Sequence, residues 1–180
     1  MAKKDLRKRE KNIYLILNFL LIAGMLIALF LLYEHFSATA SEFCKFGKSF
    51  DCGIVNKSPY ANLDGISYLL TIDFKLPLPL INVSGMGFLF DLLTSNAFLG
   101  FLTLLFLFGL LASFRRGRDF LWIQQRNALR WAKGVLIFGV AYGFYLFLIQ
   151  HFLLKTYCFF CLLLDAILIL SLVFVWRLGK

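Results

Sequence analysis

Apolar positions in this chain come in long blocks, without the alternation of a strand or the narrow stripe of a soluble helix. Residues 13–33 form a run without a single charge, and two further runs cover 134–154 and 158–176. About twenty apolar residues in a helix cross roughly 30 Å of hydrocarbon. The apolar region 85–114 is interrupted by Asp91 and by the polar triplet Thr94-Ser95-Asn96. It therefore predicts a half-helix over 85–93 that returns toward the membrane, then a span over 97–114. The polar segments between are a disordered tail at 1–12, a long outer loop at 34–83 and a loop at 115–133. A structureless stretch as long as 34–83 is uncommon in a compact protein, so short surface helices are expected within it, with 66–74 as one candidate. The fold class is all-α: a membrane domain over 13–177, a bundle of four transmembrane helices (13–33, 97–114, 134–154, 158–176) capped by the outer loop.

Composition reinforces this reading and removes others. The 180 residues are 61% hydrophobic, with 22 Phe and only 3 Pro, at a mean hydropathy of +0.79. A soluble domain must dress more of its surface with charge. The net charge of +9 raises the question of nucleic acid, and its distribution answers it. Fourteen basic residues fall in 1–12, 115–133 and the end after 176, against five in the segments between the other span ends. That asymmetry is the positive-inside pattern, with both termini cytoplasmic, and the bilayer rather than nucleic acid is the partner of these charges. The first apolar block is too long for an ordinary cleaved leader and reads as a retained signal-anchor. The expected location is a bacterial or archaeal cell (plasma, inner) membrane, with several passes.

On this topology all four cysteines, Cys44, Cys52, Cys158 and Cys161, fall on the outer face, where disulfides persist. Cys158-x-x-Cys161 opens the last span. Residues three apart on a helix share a face and are close enough to bridge. On a first turn a thiolate meets free N–H groups and the positive end of the helix dipole, conditions that make it reactive. Two buried cysteines packing as small apolar residues would give the same pattern. Cys44 and Cys52, eight positions apart in the loop, fit either a staple or a carrier that exchanges with the CxxC pair. Zinc knuckles use two to four intervening residues, so the Cys44–Cys52 spacing is too wide for one.

These residues resemble the vitamin K epoxide reductase family, and within it the bacterial branch that acts like DsbB. The resemblance is carried by the four spans, the loop C-x7-C, the C-x-x-C at the start of the last span, and the hairpin from Tyr145 to Cys161. Ser58, six residues after Cys52, stands where the family has a serine, and Asp165 stands where its vertebrate members have a tyrosine. The resemblance implies a membrane oxidoreductase that generates protein disulfides. A reduced thioredoxin-fold, DsbA-like protein of the periplasm or other extracytoplasmic space attacks the Cys44–Cys52 disulfide. Cys52 then attacks Cys158 of a Cys158–Cys161 disulfide, and Cys161 passes electrons to a membrane quinone, ubiquinone or menaquinone. Asp165, an acid at membrane depth, is the candidate for hydrogen bonding or proton delivery to the quinone. Asn82 and Ser58 are further candidates near its carbonyls. Two other readings stand beside this one: a quinone-epoxide reductase using the same cysteines, and a non-enzymatic four-span structural or adaptor protein stapled by disulfides.

Overall fold

The computed structural model describes residues 2–37, 44–46 and 49–178; the loop residues 38–43 and 47–48 lie outside the described residues. Four helices are long and apolar enough to cross a membrane, which makes the chain an all-α membrane bundle with several passes. The first, α1 (Ala2–Phe36), runs without interruption through the segment expected to be a disordered tail. That expectation is corrected. Residues 2–12 contain no Gly or Pro and are rich in Lys, Arg and Glu. Such residues extend a helix readily once an adjoining span has nucleated it.

Along α1 the buried positions include Ile13, Leu17, Leu21, Ala28 and Leu31, one stripe at helical spacing, while Leu15, Phe19, Ile22, Leu26 and Leu29 face outward. An apolar outer face is what lipid demands, and the stripe packs by shape rather than by exclusion from water. The stripe meets Leu104, Leu107 and Leu111 of α5 (Asn96–Arg116), Ala132 and Leu136 of α6 (Gln125–Ile149), and Val175 of α7 (Phe159–Leu178). At Gly24 an added Cβ would stand 3.1 Å from Leu104 and 3.4 Å from Ile167, so glycine lets three helices converge there. Neighbours in the ring are α1 with α5, α5 with α6, α6 with α7, and α7 with α1.

The basic turn between α5 and α6 closes at Gly117, whose φ of 68° is the left-handed cap that glycine favours. Exposed Trp122 and Trp131 lie here, and Trp176 lies in the last turn of α7, so all three tryptophans belong to one end of the bundle. Trp collects at membrane interfaces. At the other end, α6 runs into a π-turn, Gln150–Leu154, and Lys155, at φ 52°, turns the chain sharply into α7.

The cap is built at that second end. A short hairpin of β1 (Lys45–Phe46) and β2 (Phe50–Asp51) leads into α2 (Cys52–Asn56), a 3-10 turn at Pro59–Ala61, and α3 (Gly65–Tyr68). The helix anticipated over 66–74 is thus a single α turn followed by a π-turn through Asp73. Beyond it Leu76, Leu78, Leu80 and Ile81 are exposed, the composition of a segment resting in the membrane interface. The chain returns through α4 (Phe88–Thr94) and breaks at Ser95, whose extended backbone and side-chain bond to Phe98 N cap α5.

Candidate active site

The hairpin explains the spacing of the loop cysteines. Its register pairs Lys45 with Asp51 and Phe46 with Phe50, so the next opposed positions are 44 and 52. Cys44 and Cys52 therefore face each other across the strands and form a disulfide with Cα atoms 5.6 Å apart. Asp51 then starts α2 by accepting the Ile54 N–H through its side chain.

A second pairing seats the hairpin on the bundle. Asp51 N–H donates to Tyr157 O (3.0 Å) and Tyr157 N–H donates to Ser49 O (2.9 Å), a short parallel bridge just ahead of the CxxC pair. Its result is a contact of 3.2 Å between Cys52 Sγ and Cys158 Sγ, both fully buried. Cys158 is the N-cap of α7: the Cys161 N–H, at N3, donates to Cys158 Sγ at 3.2 Å. A hydrogen bond of this kind strengthens when the sulfur carries charge. Below, the buried Gln150 holds the Cys158 backbone, accepting its N–H at 2.8 Å. Cys158 and Cys161 are free thiols beside the loop disulfide. All four cysteines of the chain thus lie in one cluster at the mouth of the bundle.

Cys161 lines a cavity of about 80 Å³ whose walls include Leu31, Leu146, Leu164, Asn96 and Asp165, roofed by Asn56, Ser58 and Tyr60. An adjoining apolar cavity of about 260 Å³, between α5, α6 and α7, shares Asn96, Leu146, Leu164 and Asp165 with it. Asp165 reaches this junction because Gly143 of α6 has no side chain; a Cβ there would overlap its carboxylate. Asn96 is fixed on two sides: Tyr142 O–H donates to its Oδ1 at 2.7 Å, and its Nδ2 donates to Tyr60 O at 2.9 Å. One Nδ2 hydrogen remains beyond those bonds. Tyr60 in turn donates to Asp73 across the cap. Burial, aided by that carboxylate, pushes its pKa from 10.0 up to about 12.

Of the residues singled out in the sequence, Ser58 and Asp165 line the cavity beside Cys161. The Ser58 hydroxyl donates to Val55 O at 2.8 Å and so closes the end of α2. Asn82 stands elsewhere. It is exposed on the interfacial segment, and its Oδ1 accepts from Gly85 N and Ser84 Oγ, closing a local turn. The cavity's asparagines are Asn56, in its roof, and Asn96, in its wall. The polar triplet that marked a helix break was the only signal of Asn96, and it did not show which side chain turns inward. Gln150, Tyr142 and His35, also placed here, carry no motif.

A four-helix membrane bundle that sets a CxxC pair, its first thiol buried, against a loop disulfide has the arrangement of a thiol-bearing membrane oxidoreductase. The chain belongs to the vitamin K epoxide reductase family, whose model matches residues 15–176. No curated protein and no solved structure matches it closely enough to stand as a relative.

Proposed function

We propose that the chain is a quinone-dependent, disulfide-generating enzyme of the DsbB-like bacterial branch. It would oxidise a thioredoxin-fold, DsbA-like protein on the outer face of a cell membrane, with both termini inside. The observation that carries this reading is the 3.2 Å contact between the sulfurs of Cys52 and Cys158. A staple has no use for a free thiol held against a disulfide, whereas exchange requires it.

The partner's thiolate attacks Cys44, the Cys44–Cys52 bond breaks, and Cys52 leaves as a thiolate. The partner's second thiol resolves the mixed disulfide, leaving the partner oxidised and the loop as a dithiol. Cys52 attacks Cys158 of the Cys158–Cys161 disulfide and releases Cys161. Cys44 then attacks Cys52, re-forming the loop disulfide and freeing Cys158. The arrangement described, an oxidised loop beside two free thiols, corresponds to the state these exchanges leave behind.

A bound quinone, ubiquinone or menaquinone, would supply the sink for two electrons and two protons. The residues at hand fit such a group: apolar walls, a spare Asn96 N–H for a carbonyl oxygen, Asp165 for a hydrogen bond or a proton, and an apolar annexe for a prenyl tail. Cys158 and Cys161 give up two electrons and two protons as their S–S bond forms.

The test is anaerobic stopped-flow absorbance of the dithiol-reduced protein mixed with short-chain ubiquinone and menaquinone analogues. Stoichiometric quinol formation, lost in Cys161→Ala, is expected. A folded protein that reduces neither analogue refutes the proposal and favours the structural, stapled reading.

A further inference from the structure

The roof of the Cys161 cavity is a short stretch of cap, and both of its ends are tied to one side-chain pair. His35, in the last turn of α1, lines the cavity and is nearly buried, its side chain 10% exposed. Its Nδ1–H donates to Asn56 O at 2.7 Å, at the end of the helix that begins with Cys52. Its Nε2 stands 3.1 Å from Asp91 Oδ1 on α4. The same Asp91 oxygen accepts the Asn62 Nδ2–H at 2.8 Å. Ser58 and Tyr60, which roof the cavity, lie between Asn56 and Asn62.

We propose that the His35–Asp91 pair is the latch of this roof, a positioning pair that holds segment 56–62 closed over the cavity and keeps Cys52 seated against Cys158. The inference goes beyond the relay and rests on it only for the latch's purpose.

The chemistry of the latch is proton-dependent. A carbonyl oxygen and a carboxylate oxygen are both acceptors, and they face the two ring nitrogens of one histidine. Both contacts are hydrogen bonds when each nitrogen carries a proton. Removing one proton leaves a nitrogen lone pair against an oxygen and loosens one side of the roof. The ionisable groups that share this surrounding are Asp91 from α4, Cys161 and Asp165 from α7, and Tyr60 from the roof. Glu34, the neighbour of His35 on α1, is buried, and Asp64 is bound to Ser84 N.

The test is amide hydrogen exchange of the full chain in nanodiscs, read by mass spectrometry at a single pH. No quinone is needed. His35→Phe, which removes both bonds at similar bulk, should lower the protection of amides 54–62 about tenfold, while that of α5 stays as in the wild type. Asp91→Leu, which removes the acceptor shared by His35 and Asn62, should lower it in the same segment. It carries the test alone if His35→Phe does not fold. A folded variant whose amides 54–62 are protected as in the wild type overturns the latch. A wild type that reduces no quinone refutes the proposed function and leaves this measurement standing.

Discussion

Sulfur-to-sulfur distance is the quantity on which single residues act here. Cys52 and Cys158 need to approach by about 1 Å from 3.2 Å to reach bonding distance. In the double variant Cys44→Ser with Cys161→Ser these are the only two thiols left, and mild oxidation should give one Cys52–Cys158 disulfide. Peptide mapping without reductant reads it, and two free thiols would count against the relay. At the cavity, Asn96→Leu strips Tyr142 of its acceptor and removes the spare donor. On the proposed function a loss of about 1–3 kcal/mol is expected, a rise in the quinone KM of roughly 5- to 150-fold. Asn82→Ala touches only a surface turn and should move that KM by less than about twofold. Gly143→Ala drives a methyl into the Asp165 carboxylate and should cost about 1–3 kcal/mol of stability, a cost that Asp165→Ala relieves in a double-mutant cycle.

Among the elements, the cap deals with a different problem, since it carries polar backbone over an apolar mouth. Its anchors to the spans include the strand bridge to Tyr157, the His35 bond to Asn56 O and the Asn96 bond to Tyr60 O, and the Leu63–Thr94 bond and the Tyr60–Asp73 contact tie it together internally. Gly65 permits the tight return, because a Cβ there would meet Tyr60 Cα at 2.7 Å. Tyr60 makes the cap sensitive to strong alkali. Its proton is held more tightly folded than unfolded, so it contributes stability in full below about pH 10 and loses it as pH rises toward about 12. Tyrosinate absorbance should show a late step that Tyr60→Phe makes smaller, and a step of unchanged size in that variant would refute the assignment. The spans were legible in the sequence because lipid imposes a long, unbroken apolar run on each. The cap was not legible, because its turns depend on tertiary partners: residues 66–74 look like one amphipathic helix, yet Tyr60 and Asp73 bend them together. Residues 2–12 misled for a related reason, since their polarity masked helix propensity that the adjoining span brings out.

For the whole molecule, charge and cysteine placement make one prediction together. If the basic ends lie inside, a membrane-impermeant maleimide added to intact, right-side-out cells after reduction should label the cysteines, while engineered cysteines near Arg118 or Arg177 stay unlabelled. The reverse pattern would invert the proposed topology. At this scale the sequence could place the four cysteines at one end of the bundle but could not bring them together. Cys44 and Cys52 meet Cys158 because strand register, the bridge to Tyr157 and the Gln150 contact act at once. Only the strand register shows in the chain, as the spacing of Cys44 and Cys52; the bridge to Tyr157 and the Gln150 contact leave no such mark.

Among the described residues, the hairpin that carries Cys44 and Cys52 is tied to the bundle by the two backbone bonds to Tyr157, and the cavity beside Cys161 takes no lining side chain from it. The chain is therefore divided like an adaptor and a socket. On the proposed function, the outward strands could be rewritten for a different thiol partner as long as positions 44 and 52 stay opposed, while the cavity and the lipid-facing helices stay as they are.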